Sequence, residues 1–379
     1  MNPAPQIVTA GVVADAVNHI APLSGAESWD NVGLLVGERS WPARRILLTI
    51  DLTDAVLAEA VRDDVQFIVA YHPLIFRPIT RLTDADAKTR IALAAAQASI
   101  AVHSPHTALD AAPGGVNDWL AAGCGEGTTT AIAPHAALPP TETHKLVTFC
   151  PVGSVQPIRA ALGDAGAGRI GDYEQCAFEI AGHGTFRGGA TTNPTIGEPG
   201  VLEHVDEIRL EMVCGSAELG AVIAALRAVH PYEEPAFEVH PLAPRPSPER
   251  GAGRRLALTD PVDLKTLVAR LKSHLGVDRV EVATGSHAPR RYSVIGLCPG
   301  AGGSLLEPAI AAGCELFLTG EMRHHDVLAA QAAGCTVVLA GHTHTERGYL
   351  KVLRDRLAKS LRGARISVAR RDRHPLVGM

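Results

Sequence analysis

The sequence predicts an α/β protein: a discontinuous core domain with a parallel-rich sheet, interrupted by a ferredoxin-like (β-α-β-β-α-β) insert. Three observations predict it. The first third alternates short apolar runs with stretches of helical spacing, and so does the last third. Strands separated by helices of that length argue for parallel pairing. The middle third changes pattern and is flanked by two Pro- and Thr-rich stretches.

In chain order, apolar residues at helical spacing open a helix at about residue 8. The run RILLTIDL, 45–52, reads as a strand buried on both faces. A helix over 53–63 has Thr53 as its N-cap, and a strand follows over 65–72. The helix 84–97 and the strand 99–104 complete the first third. The last third has strands over 291–298, 314–320 and 336–341, each followed by a helical stretch. The third of these, HTERGYLKVLRDRLAKSL, reads as one long amphipathic helix, and ARISVAR closes the chain as a strand.

The middle reads as strand 144–151, helix 153–163, strands 173–180, 183–188 and 206–214, helix 216–229 and strand 235–241. That is close to the split unit of two helices on an antiparallel sheet. The expected organisation is a first core half over 1–125, a linker over 126–143, the insert over 144–242, a linker over 243–254, and a second core half over 255–379.

Composition excludes several classes. The 35 Lys and Arg against 40 Asp and Glu leave a net charge of −5, which argues against a general nucleic-acid binder. No apolar stretch is long enough to span a membrane, and no basic region precedes the first apolar stretch. The expectation is a cytoplasmic protein. Seven scattered cysteines without a CxxC give neither a disulfide framework nor a thiolate zinc site.

The 17 histidines are the unusual feature. His72 ends a predicted strand. His106 and Asp110 follow the strand 99–104, and His342 and Glu346 follow the strand 336–341. Ligands of parallel sheets gather outside the carboxyl ends of the strands, so these segments can converge. Imidazole and carboxylate together suit zinc, manganese or iron. The spacing alone is weak: a His with an acid four residues on also occurs at 230/234 and 274/278. Chance gives roughly two such pairs, so position in the fold has to decide.

Asp51, at a strand end, and His325, opening a helix after Gly320, are candidates for a supporting or general-base role. Asp30 and Asn31 can line the same cleft or simply form an Asx turn. The loop PGAGGS, 299–304, lies between a strand and a helix and can present amides to an anion, but it lacks the Lys of a Walker A motif. A serine-hydrolase triad is not indicated.

The motifs SWDNVGLLVG, HPLIF, HTALDAAPGGVNDWLA, TGEMRHHD and AGHTHTERG, in that order, resemble the Nif-three-like family. Its members carry the label GTP cyclohydrolase I type 2 homolog. The resemblance covers roughly 1–125 and 255–379. It implies a dinuclear site of two divalent ions, zinc first, with manganese or iron as alternatives. His72, His106, Asp110, His342 and Glu346 would be the ligands. Ring-shaped homohexamers are common in the family. The insert, with its ending YEEPAFEVHPL, resembles a PII- or CutA-like module.

There is one departure: the family shows two adjacent histidines before Pro, whereas Tyr71 precedes His72 here. A neutral phenol is a poor ligand. One metal position is then expected to be weaker, or completed by His103, His325 or water. The functional expectation is a metal-dependent hydrolase, of GTP cyclohydrolase type or a phosphoesterase on a nucleotide or phosphorylated small molecule. The alternative is a regulatory or interaction protein whose metals are structural and whose insert senses a ligand or partner. Neither membrane nor nucleic acid is expected as a partner.

Overall fold

The computed structural model describes residues 8–285 and 287–376. It is mixed α/β and divides into two compact units: one built from both outer parts of the chain, the other from Ala136–Pro246. Among the described residues no helix is long and apolar enough to cross a membrane.

The outer unit holds two large sheets. The first has five strands in the order Gly33–Val36, Ala101–Ser104, Phe67–Ala70, Arg45–Thr49, Arg365–Val368. All neighbours are parallel except the edge strand Gly33–Val36. Helices cover both faces, which explains the unbroken apolar runs. Ile46, Leu48, Phe67 and Val69 join one core cluster, with the helices Ala10–Ile20 and Tyr349–Ser360. Leu47, Ile68 and Val102 join the other, with Asp54–Arg62 and Ala87–Gln97. The period-two alternation of a strand thus sorts its side chains between two cores. Thr53 caps its helix as expected, accepting the Val56 amide at 3.3 Å.

The second sheet has six strands in the order Glu281–Ala283, Thr336–Leu339, Leu316–Glu321, Tyr292–Ala301, Arg254–Val262, Gly127–Thr130. Its three central strands from Thr336 back to Tyr292 are parallel and the others antiparallel. The two chain halves interleave. Gly127–Thr130, inside the stretch read as linker, supplies an edge strand here, and Arg365–Val368 returns to the first sheet. The long helix expected after residue 344 is two helices, His344–Arg347 and Tyr349–Ser360. The break falls at Gly348, where a Cβ would lie 2.2 Å from the Trp119 ring. The close approach, invisible in the periodicity, leaves room only for glycine there.

The middle unit runs strand His144–Pro151, helix Val155–Asp164, strands Phe178–Arg187 and Leu202–Cys214, helix Leu219–Val229, strand Phe237–Pro241. Its antiparallel sheet has the order Phe237–Pro241, His144–Pro151, Leu202–Cys214, Phe178–Arg187. Leu146, Cys150, Leu210 and Met212 pack with Ile158, Leu162, Val222 and Leu226 of the helices. The two short strands expected at 173–180 and 183–188 are one ten-residue strand. Gly182 and Gly184 suggest a turn in sequence, but here they continue the ladder, opposite Glu207 and Val205.

Arg254 ties the halves of the outer unit together. It is 1 % exposed. Its guanidinium donates to Asp118 at 2.7 Å and to the carbonyls of Ala111, Ala112, Gly251 and Gly253. Replacing it strands a half-buried carboxylate and several carbonyls. Arg254→Met is expected to destabilise the chain by about 3 kcal/mol. Thermal denaturation followed by circular dichroism would show this as a drop of several degrees, and an unchanged midpoint would contradict it.

Candidate metal centre

Five strand ends deliver the site. Asp51, His72 and His106 leave the carboxyl edge of the first sheet, after Arg45–Thr49, Phe67–Ala70 and Ala101–Ser104. Glu321 ends Leu316–Glu321 of the second sheet, and His342 follows Thr336–Leu339. The centre lies where the carboxyl edges of two sheets meet, so residues some 270 positions apart in sequence come into contact.

His72, His342 and Glu346 present ligand atoms that all lie within 4.8 Å of one another, a group able to hold a metal ion. Glu346 is the centrepiece, its side chain 3 % exposed. One oxygen is 3.4 Å from His342 Nε2, the other 3.5 Å from His72 Nε2. The second oxygen has no hydrogen-bond partner among the described residues.

Behind each imidazole stands a carboxylate. His72 Nδ1 donates to Asp51 at 2.9 Å, and His342 Nδ1 to Glu321 at 3.0 Å. His106 Nδ1 donates to Asp30 at 2.9 Å. Such a bond fixes the tautomer and leaves Nε2 as the free donor atom, the usual arrangement behind a metal-bound histidine. Asp30 is further held by the amide and hydroxyl of Thr107. His106 has a φ of +24°, a strained value for a side chain with a Cβ.

Asp110 accepts a short hydrogen bond from the Tyr71 hydroxyl. Burial, then the nearby Asp110 and Glu346 carboxylates, push the Tyr71 phenol far above its usual range, so it stays a neutral donor. Burial pushes Asp110 up to about 6, against the pull of His106 and of the phenol. Burial also opposes a charge on His72, but Asp51 and Glu346 on either side outweigh it and raise its pKa to about 10. The proton there occupies a place that a cation can take.

The other candidates fall elsewhere. His103 is buried, bonded to Asn18 at 3.1 Å and stacked on Phe67, and its pKa falls to about 4 through burial. It completes no ligand set with His72. His325 is exposed in the first turn of His324–Ala332, its ring 5.6 Å from that of His324, with no hydrogen bond to the triad. Asp51 serves through His72.

The loop 299–304 is not a free row of amides. Gly300 N donates to the Thr345 hydroxyl and Gly302 N to the Thr319 hydroxyl. Its role is close approach. Gly300 has a φ of +62°, and a Cβ there would lie 2.7 Å from Glu346 Oε1 and 3.1 Å from His342 Nε2.

Sequence reasoning missed Glu321, although it lies inside TGEMRHHD, and Asp372. The Asp372 carboxylate is 1 % exposed, 2.6 Å from Arg347 Nη1, and accepts the Ile50 amide at 2.7 Å. It thus fastens both the residue after Glu346 and the residue before Asp51. Nothing in its local sequence, RRDRH, separates it from a solvated tail.

The family model described as Duf34/NIF3 (NGG1p interacting factor 3) matches residues 8–375. The chain belongs to the DUF34/NIF3 family. Within that family it is 33 % identical over 344 residues to a GTP cyclohydrolase 1 type 2 homolog of Halalkalibacterium halodurans, covering 90 % of each chain. It is 37 % identical over 367 residues to a NIF3-like protein 1 of Bos taurus, covering 95 % of this chain and 90 % of the relative. Among solved structures, a Bacillus cereus protein related to NIF3 aligns with a TM-score of 0.75 at 31 % identity, over 99 % of this chain and 100 % of that one.

The donor set of this DUF34/NIF3 member fits a divalent ion: two imidazole nitrogens, a carboxylate oxygen without a partner, and a glycine where any Cβ would intrude. Gly300→Ala is expected to weaken zinc or manganese binding at least tenfold, as measured by competition with a chromophoric chelator. Affinity equal to the parent's would mean that the loop gives way without disturbing Glu346.

Proposed function

We propose that the chain is a divalent-metal-dependent hydrolase acting on a nucleotide or a phosphorylated small molecule, with its centre at His72, His106, Asp110, His342 and Glu346. The observation that carries this reading is the set of three imidazoles, each held from behind by its own carboxylate. Two of them face the buried Glu346. The name of the Halalkalibacterium halodurans relative supports a nucleotide as substrate.

A bound divalent ion would supply an acidified water and a polarised electrophile. His72, His342 and Glu346 form the stronger position. His106 and Asp110 form a second, weaker one, because Tyr71 stands where a second histidine would and takes one side of Asp110. Asp51, Glu321 and Asp30 orient the imidazoles.

In this reading the middle unit is a ferredoxin-like module of PII or CutA type, a proposal supported by its order of elements and of strands. The assembly proposed is a homohexamer.

Elemental analysis of protein purified without a metal-affinity column tests the centre. Between one and two equivalents of zinc, manganese or iron per chain are expected. No uptake even after adding these ions would refute the centre. Asp110→Asn is expected to abolish hydrolysis of nucleotides while leaving the thermal midpoint within a few degrees. If chelation instead lowers the midpoint and no substrate turns over, the metal is structural. Because a metal must displace the His72 proton, whose pKa is near 10, affinity is expected to climb as pH rises from 6 to 9. Binding that is flat across that range would contradict a ligand role for His72.

A further inference from the structure

Beside the centre stands an aromatic corner that the ligand set does not use. Trp29 is 59 % exposed and Phe76 37 % exposed. Their ring centroids are 6.0 Å apart and edge-on. Trp29 also lies 6.3 Å from the His106 ring, and His106 lies 5.4 Å from His72, which lies 5.4 Å from His342. A row of rings therefore runs from the solvent-exposed tryptophan to the triad.

The corner is held in place by the same residues that build the centre. Trp29 precedes Asp30, the carboxylate that orients His106. Asn31 donates to the carbonyl of Ile75, next to Phe76. Leaving two large aromatic rings in water forgoes their burial, and exposed apolar surface of this kind marks a binding site. Here it adjoins a group of residues able to hold a metal. That continuity favours a small substrate part over a second protein chain.

We infer that Trp29, backed by Phe76, stacks on a planar heterocycle of the substrate, such as a purine, and so sets the substrate class of the proposed metal centre. The inference rests on the hydrolase reading above. An aromatic face takes any base, because every base offers a π-face, so Trp29 selects for a ring and not for one particular base.

The test uses the full chain loaded with manganese, with calorimetric binding of guanosine monophosphate, adenosine monophosphate and ribose 5-phosphate. Both nucleotides are expected to bind at least tenfold more tightly than ribose 5-phosphate, which lacks the ring. Trp29→Ala is expected to cost roughly tenfold for the nucleotides and to leave ribose 5-phosphate unchanged. Trp29→Phe should keep most of the affinity. Phe76→Ala should give a smaller loss than Trp29→Ala.

Ribose 5-phosphate binding as tightly as the nucleotides would overturn the inference, as would Trp29→Ala binding like the parent. No nucleotide binding at millimolar concentration overturns it too. If Trp29→Ala changes the sedimentation coefficient and not the nucleotide affinity, the corner is an interface between copies of the chain and the inference fails. A chain that takes up no metal refutes the centre itself. A chain that takes up metal but is indifferent to Trp29 leaves the centre standing and removes only the stacking role.

Discussion

Glu346 is a carboxylate withdrawn almost completely from water. Burying such a charge costs several kcal/mol unless positive charge lies close by. The neighbours able to supply or recruit it are His72 and His342, which come from different sheets. The two sheets must therefore present their carboxyl edges to each other, and the loop 299–304 must be thin enough to admit them. The orientation of the first helix after Thr336–Leu339, the glycine at 300 and the carboxylates behind the imidazoles all follow from satisfying that one oxygen pair.

Rigidity is distributed around this point and not concentrated in it. Arg254 fastens the carbonyls at the end of the short helix that carries His106 and Asp110. Asp372 fastens the segments of Asp51 and Glu346. The strained backbone at His106 persists because Asp30, Thr107 and their hydrogen bonds over-determine it. Strain of this kind is retained where a side chain must point in one direction only.

Much of this was legible in the sequence, for a physical reason. Strands buried on both faces are continuous apolar runs, so Arg45–Thr49, Phe67–Ala70 and Ala101–Ser104 stood out, and the residues just past their ends were the natural candidates. His72, His342 and Glu346 came from that rule. What stayed hidden depends on contacts between distant segments. The division of the outer unit into two sheets, with the last strand crossing back to the first sheet, leaves no mark on local periodicity. The need for glycine at 348 comes from Trp119, more than 200 residues earlier. Glu321 and Asp372 are ordinary surface acids until the residues they meet are known, and the glycine loop looked like an anion cradle until two threonine hydroxyls were found to occupy its amides.

The return of the final strand has a consequence for how the chain is made. Arg365–Val368 pairs with Arg45–Thr49, and Asp372 accepts from Ile50 across 322 positions. Loop closure over that distance costs only logarithmically more free energy than a short one, but non-local pairing slows folding. On a ribosome, the strand Arg45–Thr49 keeps one open edge, and Ile50 an unanswered amide, until Arg365–Val368 and Asp372 have emerged some 320 residues later. The middle unit, by contrast, is assembled from neighbours in sequence and needs nothing from the C-terminus to fold. The first sheet is thus completed by residues made long after its other strands, and a chain stopped before Arg365 would keep every motif of the candidate metal centre while lacking both the strand and the carboxylate that pin them.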